Sequence, residues 1–233
     1  KKMIINKKII AIISARGGSK RIKNKNLIKF GKESLVANCI NNAKKSKFID
    51  QIIVNTDSKK IKREAERQGV KVPFLRKKYF DDHSPVYLAT TYAANEAKLF
   101  FGNFDIVVQL MPNCPFVTGK VIDEALINFT KKKYKSQISF SKFIYSKPEW
   151  AVKIDLKKNK IRNMFKKKTS MRSQDFEDSY YPTGAVWISN YYYLKKYKTF
   201  MSPGYGHFIC DYKTSIDIDT VEELKVAKYF ISQ

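Results

Sequence analysis

Disulfide and zinc chemistry are what this sequence most plainly lacks. Its three cysteines, Cys39, Cys114 and Cys210, are odd in number, widely spaced and never paired as CxxC, which argues against a disulfide framework or a zinc site and fits a reducing cytoplasm. Histidine is scarcer still. The only two, His83 and His207, have no partner at metal-ligand spacing, and no Ser/His/Asp or Cys/His constellation stands out for nucleophilic catalysis. No apolar run approaches the roughly 20 residues that span a bilayer, so membrane insertion is not expected. Acids are also short: 21 Asp and Glu stand against 46 Lys and Arg, for a formal net charge of +25. Taken alone, that excess points to nucleic acid or an anionic surface as partner. It is mostly lysine, however, scattered in short clusters such as Lys131 to Lys133, Lys157-Lys158 and Lys166 to Lys168. Such scatter is the pattern of solvated faces rather than of a nucleic-acid stripe.

What is present is enough to build a core. With 43% hydrophobic residues in 233, the chain can fold as one large domain or two small ones. Apolar runs rich in β-branched residues alternate with segments of helical periodicity, the pattern of an α/β protein with a mostly parallel, Rossmann-like sheet and crossover helices. Ile9 to Ser14 reads as a first strand, Ser34 to Lys45 as a helix, Gln51 to Thr56 as a second strand, and Ser58 to Gln68 as a polar helix stopped by Gly69. Leu88 to Phe101 reads as a third helix, Phe104 to Met111 as a strand buried on both faces, and Val121 to Thr130 as a fourth helix. After about residue 136 the texture becomes β-rich. SIDID then reads as a final strand, followed by a helix that Thr220 can cap and Glu222-Glu223 favour at its N-terminus.

The first strand breaks into SARGGSKRIKNKNL. A secretory leader is one reading, with Lys7 and Lys8 ahead of a short apolar run ending at Ser14 and Ala15, but the run is at the short limit and nothing after it has a secretory character. The better reading is an anion-binding turn. Gly17 and Gly18 at the carboxyl end of a first parallel strand let backbone N–H groups approach an anion, and Arg16, Lys20, Arg21, Lys23 and Lys25 add fixed positive charge suited to a triphosphate. The segment is neither GxxxxGK[ST] nor GxGxxG, so it is not a Walker loop or a dinucleotide fingerprint.

ARGGSKRIKNKNL resembles the nucleotide-binding signature of the acylneuraminate (CMP-sialic acid) cytidylyltransferases and their pseudaminic and legionaminic acid relatives. VNTDSKKIKREAERQGVKVPFLR, QLMPNCPF and SIDIDT resemble further elements of that family in the same order, so the likeness runs through most of the chain. The resemblance implies a nucleotide-diphospho-sugar transferase fold, a single nucleotidyltransferase domain over residues 1–233, and an inserted dimerisation and sugar-site arm at about 136–181. It implies transfer of CMP from CTP to an acidic nine-carbon sugar, Mg²⁺ (or Mn²⁺) as cofactor, and a homodimer. By the same likeness Arg16, Ser19, Lys20 and Lys25 grip the triphosphate and Asn26 and Arg76 lie near the cytidine. Lys25 and Asp217 take the catalytic places, and Asp217 and Asp219 are the metal carboxylates, which alternation along a strand would put on one face. His83 sits in DDHSP, a loop that in the family borders the nucleotide.

The sugar half resembles the family less closely. Met111 stands where glutamine is common, with Gln109 two residues earlier on the same strand face. Val117 replaces a basic residue and Thr183 replaces asparagine before GAVWI. Arg172 and Gln174 resemble the family's RxQ-type element, and Arg172 is a candidate for a sugar carboxylate. Gln109, Arg172, Gln174 and Thr183 are thus the candidate sugar-binding residues. Two other readings stay open from residues alone. One is a nucleotide-sugar glycosyltransferase using Asp217-Ile218-Asp219 as a DxD motif, or another sugar nucleotidyltransferase. The other is a basic nucleic-acid-binding protein, which accounts for the charge but not for the glycines or the paired aspartates.

Overall fold

A computed structural model describes residues 6–81, 83–165 and 171–232. In chain order its elements are β1 (Ile9–Ser14), β2 (Lys29–Phe30), β3 (Glu33–Ser34), α1 (Leu35–Lys44), β4 (Gln51–Asn55), α2 (Lys59–Arg67), α3 (Val86–Phe101), β5 (Ile106–Leu110), α4 (Gly119–Lys131), β6 (Ser136–Lys142), β7 (Val152–Asp155), β8 (Lys160–Asn163), β9 (Tyr180–Asn190), α5 (Tyr191–Tyr197), β10 (Gly206–Ile209) and α6 (Val221–Ser232). Six strands form one sheet in the order β10-β6-β9-β5-β1-β4. β1 is parallel to β4 and β5, and β10 to β6, while β9 alone runs against its neighbours β5 and β6.

The side-chain alternation of β1 explains the layering. Ile9, Ala11 and Ile13 point to the face covered by α1, α2 and α4, packing with Val36, Ile40, Ile61 and Leu126. Ile10 and Ile12 point to the other face, against Ala93, Ala94 and Ala97 of α3 and Leu194 of α5. A strand covered on both sides must be apolar at every position, which is why IIAIIS shows no polar alternation. The helix ends follow local chemistry. Ser34, Ser58 and Thr118 each accept a hydrogen bond from the third residue into their helices, Ala37, Ile61 and Val121. α2 closes as a Schellman turn, with Gly69 at φ +67° and N–H bonds from Gly69 to Glu66 O and from Val70 to Ala65 O.

Two expectations need adjusting. SIDID is not a strand: apart from turn bonds from Ser215 and Ile216 back to residues 211–213, the backbone bond it makes is Ile218 N–H to Asn113 O at 2.8 Å, because no neighbouring strand runs beside it. Alternation survives nonetheless, with Ile216 and Ile218 buried and the two aspartates on the other side. In the β-rich stretch, β6 and the start of β9 belong to the central sheet, so the described part that leaves it comprises 143–165 and 171–179 and carries the β7–β8 hairpin. A third apolar cluster, Ile22, Phe30, Leu35, Ile216, Ile218 and Ala227, ties the loop after β1 to the segment before α6. Among the described residues no helix is long and apolar enough to cross a membrane.

Candidate active site

At the carboxyl ends of β1, β4 and β5 the sheet opens into a cleft, the usual place for a ligand in a parallel α/β sheet. The loop leaving β1 is shaped by the turn after β4. Gly17 donates its N–H to Asp57 Oδ1 at 2.8 Å, and a Cβ on Gly17 would stand 2.8 Å from Ser58 Cβ. Glycine is required here by close packing, not by a left-handed backbone. This corrects the expectation that both glycine N–H groups face an anion, since Asp57 already takes that of Gly17. At Gly18 a Cβ would meet nothing within 4 Å, so the open side of the loop begins there.

Asn26, buried, donates from Nδ2 to Arg16 O at 2.8 Å and so fixes the start of the basic loop. Arg76 is only 5% exposed. Its N–H donates to Thr56 O at 2.7 Å, and its Nη2 lies 3.8 Å from Asp57 Oδ1. Burial pulls its pKa down while the Asp57 charge pushes back. Its Nε and Nη2 have no hydrogen-bond partner among the described residues, so the guanidinium keeps donor capacity on the wall of the pocket it lines.

The acidic side comes from the far end of the chain. Lys25 Nζ lies 2.6 Å from Asp219 Oδ1, and Arg21 Nη2 lies 2.6 Å from Asp219 Oδ2. Asp219 is set in place by a capping box: its N–H and that of Thr220 donate to Glu223 Oε2 at 2.8 and 2.7 Å, and Glu223 N–H returns a bond to Thr220 Oγ1 at 3.3 Å. Asp217 accepts from Asn113 Nδ2. Burial and then the Asp219 charge push the Asp217 carboxyl up to about 6, against the opposing Lys25 charge. Burial raises Asp219 too, but the bonds and charges of Lys25 and Arg21 outweigh it, leaving that carboxyl below its ordinary value.

The fold therefore brings Arg16, Ser19, Lys20, Lys25, Asn26, Arg76 and Asp219 to one pocket, with Gly17 and Gly18 in the loop beside it and Asp217 held to the pocket-lining Asn113. The candidate sugar residues lie elsewhere in the single chain. Gln109 is 1% exposed: Met111 takes the position at the strand end facing the pocket, and Gln109, one step deeper, accepts from Thr90 Oγ1 at 2.7 Å. Thr90 in turn lies 3.2 Å from Ser14 Oγ at the pocket floor, so Gln109 reaches the pocket only through these hydroxyls. Thr183 is buried between β9 and β6, donating to Ser139 Oγ at 2.8 Å. Arg172 is exposed and clamps Asp175 through two 3.1 Å bonds, with Gln174 in the same exposed turn.

Sequence reasoning passed over Asp57, Asn113 and Tyr79. Asp57 had a signal, an acid directly after a parallel strand, where the ligand cleft of such sheets lies. Asn113 and Tyr79 had none, because their roles depend on loops meeting across the fold. His83 donates its N–H to Asp81 Oδ1 at 2.9 Å, and Asp81 and Ser84 border the pocket, while Asp82 lies outside the described residues. The three cysteines are buried and free. Burial holds the Cys39 thiol up at about 12, which makes it inert.

The family described as "Cytidylyltransferase" matches residues 10–233. The pseudaminic acid cytidylyltransferase of Campylobacter jejuni subsp. jejuni (strain 81-176) is 30% identical over 95% of this chain and 95% of its own. The CMP-N,N'-diacetyllegionaminic acid synthase of Legionella pneumophila subsp. pneumophila (strain Philadelphia 1) is 30% identical over 91% of each chain. Among solved structures, CMP:2-keto-3-deoxy-manno-octonic acid synthetase complexed with CTP superposes with a TM-score of 0.74 at 14% identity, covering 97% of this chain and 99% of that one, a likeness of fold.

Proposed function

The chain belongs to the cytidylyltransferase family, and from that premise we propose that it transfers CMP from CTP to the anomeric hydroxyl of a nonulosonic, sialic-acid-like sugar. The sugar oxygen attacks the α-phosphorus of CTP, a P–O bond forms, and pyrophosphate leaves with the electrons of the bond that breaks. The observation that carries this reading is the meeting of Lys25 with Asp219 at 2.6 Å across 194 residues of chain. It joins a phosphate-binding loop to a paired-acid segment in one cleft.

Little covalent chemistry is asked of the protein, and positioning and charge do most of the work. Arg16, Ser19 and Lys20 grip the triphosphate with the open side of the loop at Gly18. Lys25, only 15% exposed at its side chain, lies against the α-phosphate, where a preorganised charge acts at reduced dielectric and gains most as negative charge develops. Asn26 and the unmatched donors of Arg76 serve the cytidine, whose ring carbonyl and nitrogen are acceptors.

Cytidylyltransferases of this fold are generally dependent on a divalent metal. The residues here fit one: two carboxylates supply hard oxygen donors, and the Asp219 charge that helps push Asp217 up to about 6 is a repulsion a cation would relieve. Asp217 and Asp219 would hold Mg²⁺ or Mn²⁺, which when bound neutralises phosphate oxygens and acidifies a hydroxyl.

The partner sugar is an acidic nine-carbon 2-keto acid. Met111 at the pocket, together with Val117 and Thr183, departs from the sialic acid pattern, and the relatives named for pseudaminic and legionaminic acid favour diacetamido sugars over N-acetylneuraminate. The protein acts as a homodimer. The β7–β8 hairpin exposes Ile154 (58%), Leu156 (88%) and Ile161 (70%), and a two-stranded ribbon with its apolar residues in water is marginal unless something covers it. The arm carries Arg172 and Gln174 to the partner's sugar site, where Arg172 meets the sugar carboxylate. The test is pyrophosphate release with CTP across a panel of nine-carbon 2-keto acids and the eight-carbon acid of lipopolysaccharide. Turnover of a diacetamido acid is expected. Turnover of N-acetylneuraminate alone would refute the sugar choice, and no turnover of any acid sugar would refute the reaction.

A further inference from the structure

Tyr79 has an unusual backbone for its size. Its φ is +58°, a left-handed conformation that costs a bulky residue about 1–3 kcal/mol and persists only where the surroundings enforce it. Here the surroundings are visible. The Tyr79 ring meets Tyr92 of α3 edge-on at 6.5 Å between centroids, and Tyr92 packs on Phe74 at 6.1 Å. The effect is to leave Tyr79 38% exposed on the wall of the active-site pocket instead of folding it into the core. Among the described residues lining that pocket, Tyr79 is the sole aromatic. The pocket has two unlike ends: Arg16, Lys20 and Lys25 gather at the loop, whereas Tyr79, Val86 and Ala89 belong to the segment after Arg76 and to α3.

A nucleoside triphosphate is two-ended in the same sense, with charge at one end and a flat ring at the other. We propose that Tyr79 is a base-stacking residue, its ring forming the face against which the pyrimidine of CTP lies, an inference that rests on the cytidylyltransferase reading. Stacking is indifferent to the hydrogen-bonding edge of the base. Tyr79 therefore contributes affinity for CTP and UTP alike, and the choice of cytosine stays with the polar groups around Asn26 and Arg76.

The experiment measures binding of CTP, UTP and inorganic tripolyphosphate to wild type, Tyr79→Phe and Tyr79→Asn. Asparagine tolerates a left-handed backbone, so it removes the ring while keeping the local conformation. Tyr79→Phe is expected to retain most of the affinity. Tyr79→Asn is expected to weaken CTP and UTP by about tenfold, within the range of one base–aromatic stack, and to leave tripolyphosphate unchanged. Unchanged CTP binding by Tyr79→Asn overturns the proposal, as does an equal loss for CTP and tripolyphosphate, which would mean that the ring only orders the loop. A measurement on wild type needs no variant to fold: stacked cytosine loses absorbance near its ultraviolet maximum on binding, and its absence overturns the proposal as well. Failure of wild type to bind CTP at all would overturn the cytidylyltransferase reading itself, whereas CTP bound equally well with and without the ring overturns this inference alone.

Discussion

The Gly17 N–H donates to the Asp57 carboxylate at 2.8 Å, so the loop after β1 is moored to the turn after β4 by a charge-assisted bond. The same carboxylate faces the buried Arg76 guanidinium at 3.8 Å. Asp57 thus holds two parts of the pocket at once. Asp57→Ala should leave the Gly17 N–H unmatched and Arg76 without its counter-charge, weakening CTP binding by roughly tenfold or more, on the scale of losing one charged hydrogen-bond partner. Calorimetric titration with CTP checks this, and unchanged affinity would remove Asp57 from the site.

The two loop glycines should fail differently. Gly17→Ala places a methyl 2.8 Å from Ser58 Cβ, so the backbone must shift, at about 1–3 kcal/mol of stability. At Gly18 an added Cβ meets no protein atom within 4 Å, so Gly18→Val should melt like wild type, while its side chain occupies the opening the phosphates need. Thermal melts with and without CTP separate the two: a lower midpoint without ligand for Gly17→Ala, and loss of CTP stabilisation alone for Gly18→Val.

Much of this was legible in the sequence because it is local. The buried run IIAIIS, the caps at Ser34 and Ser58, the stop at Gly69 and the Thr220 cap all follow from residues within a few positions of one another. The family likeness also named Arg16, Ser19, Lys20, Lys25, Asn26, Arg76 and Asp219, which line the pocket. What it did not reveal depends on register between distant segments. Gln109 and Met111 share a strand face, and only the placement of α3 decides which of them reaches the pocket. Thr183 stands before GAVWI at a candidate sugar-binding position, yet the pairing of β9 with β6 buries it against Ser139. SIDID has a strand's alternation but no neighbouring strand.

Lys25→Ala should separate binding from chemistry. Arg16 and Lys20 remain to hold CTP, so affinity should change little. Turnover should fall by about 10²-fold, as expected when one preorganised charge is removed from a transition state. Initial-rate kinetics beside direct CTP titration give the split, and a rise in KM with unchanged kcat would place Lys25 among the binding groups only.

Asp217→Ala leaves Asp219 with its Lys25 and Arg21 partners and removes one of two hard donors. Activity should fall, and added Mg²⁺ should recover it only in part, with the midpoint of the Mg²⁺ dependence moved to higher concentration. An activity curve identical to wild type at every Mg²⁺ concentration would take Asp217 out of the metal site.

Leu156→Lys at the hairpin tip, 88% exposed in the single chain, should cost the fold almost nothing and weaken the homodimer by placing charge in an apolar contact. Light scattering should then show a dimer for wild type and a shift toward monomer for the variant. A monomeric wild type at working concentration would count directly against the assembly.

The third apolar cluster has a consequence for synthesis on the ribosome. Ile22 and Phe30 emerge well before Ile216, Ile218 and Ala227, which complete their packing. Until then Lys25 and Arg21 of the first loop have no Asp219 carboxylate to seat against, and Asp219 has no Glu223 of α6 to fix its backbone. A nascent chain halted before that helix therefore carries the basic loop but no working half-site, so a prematurely terminated product is silent rather than partly active.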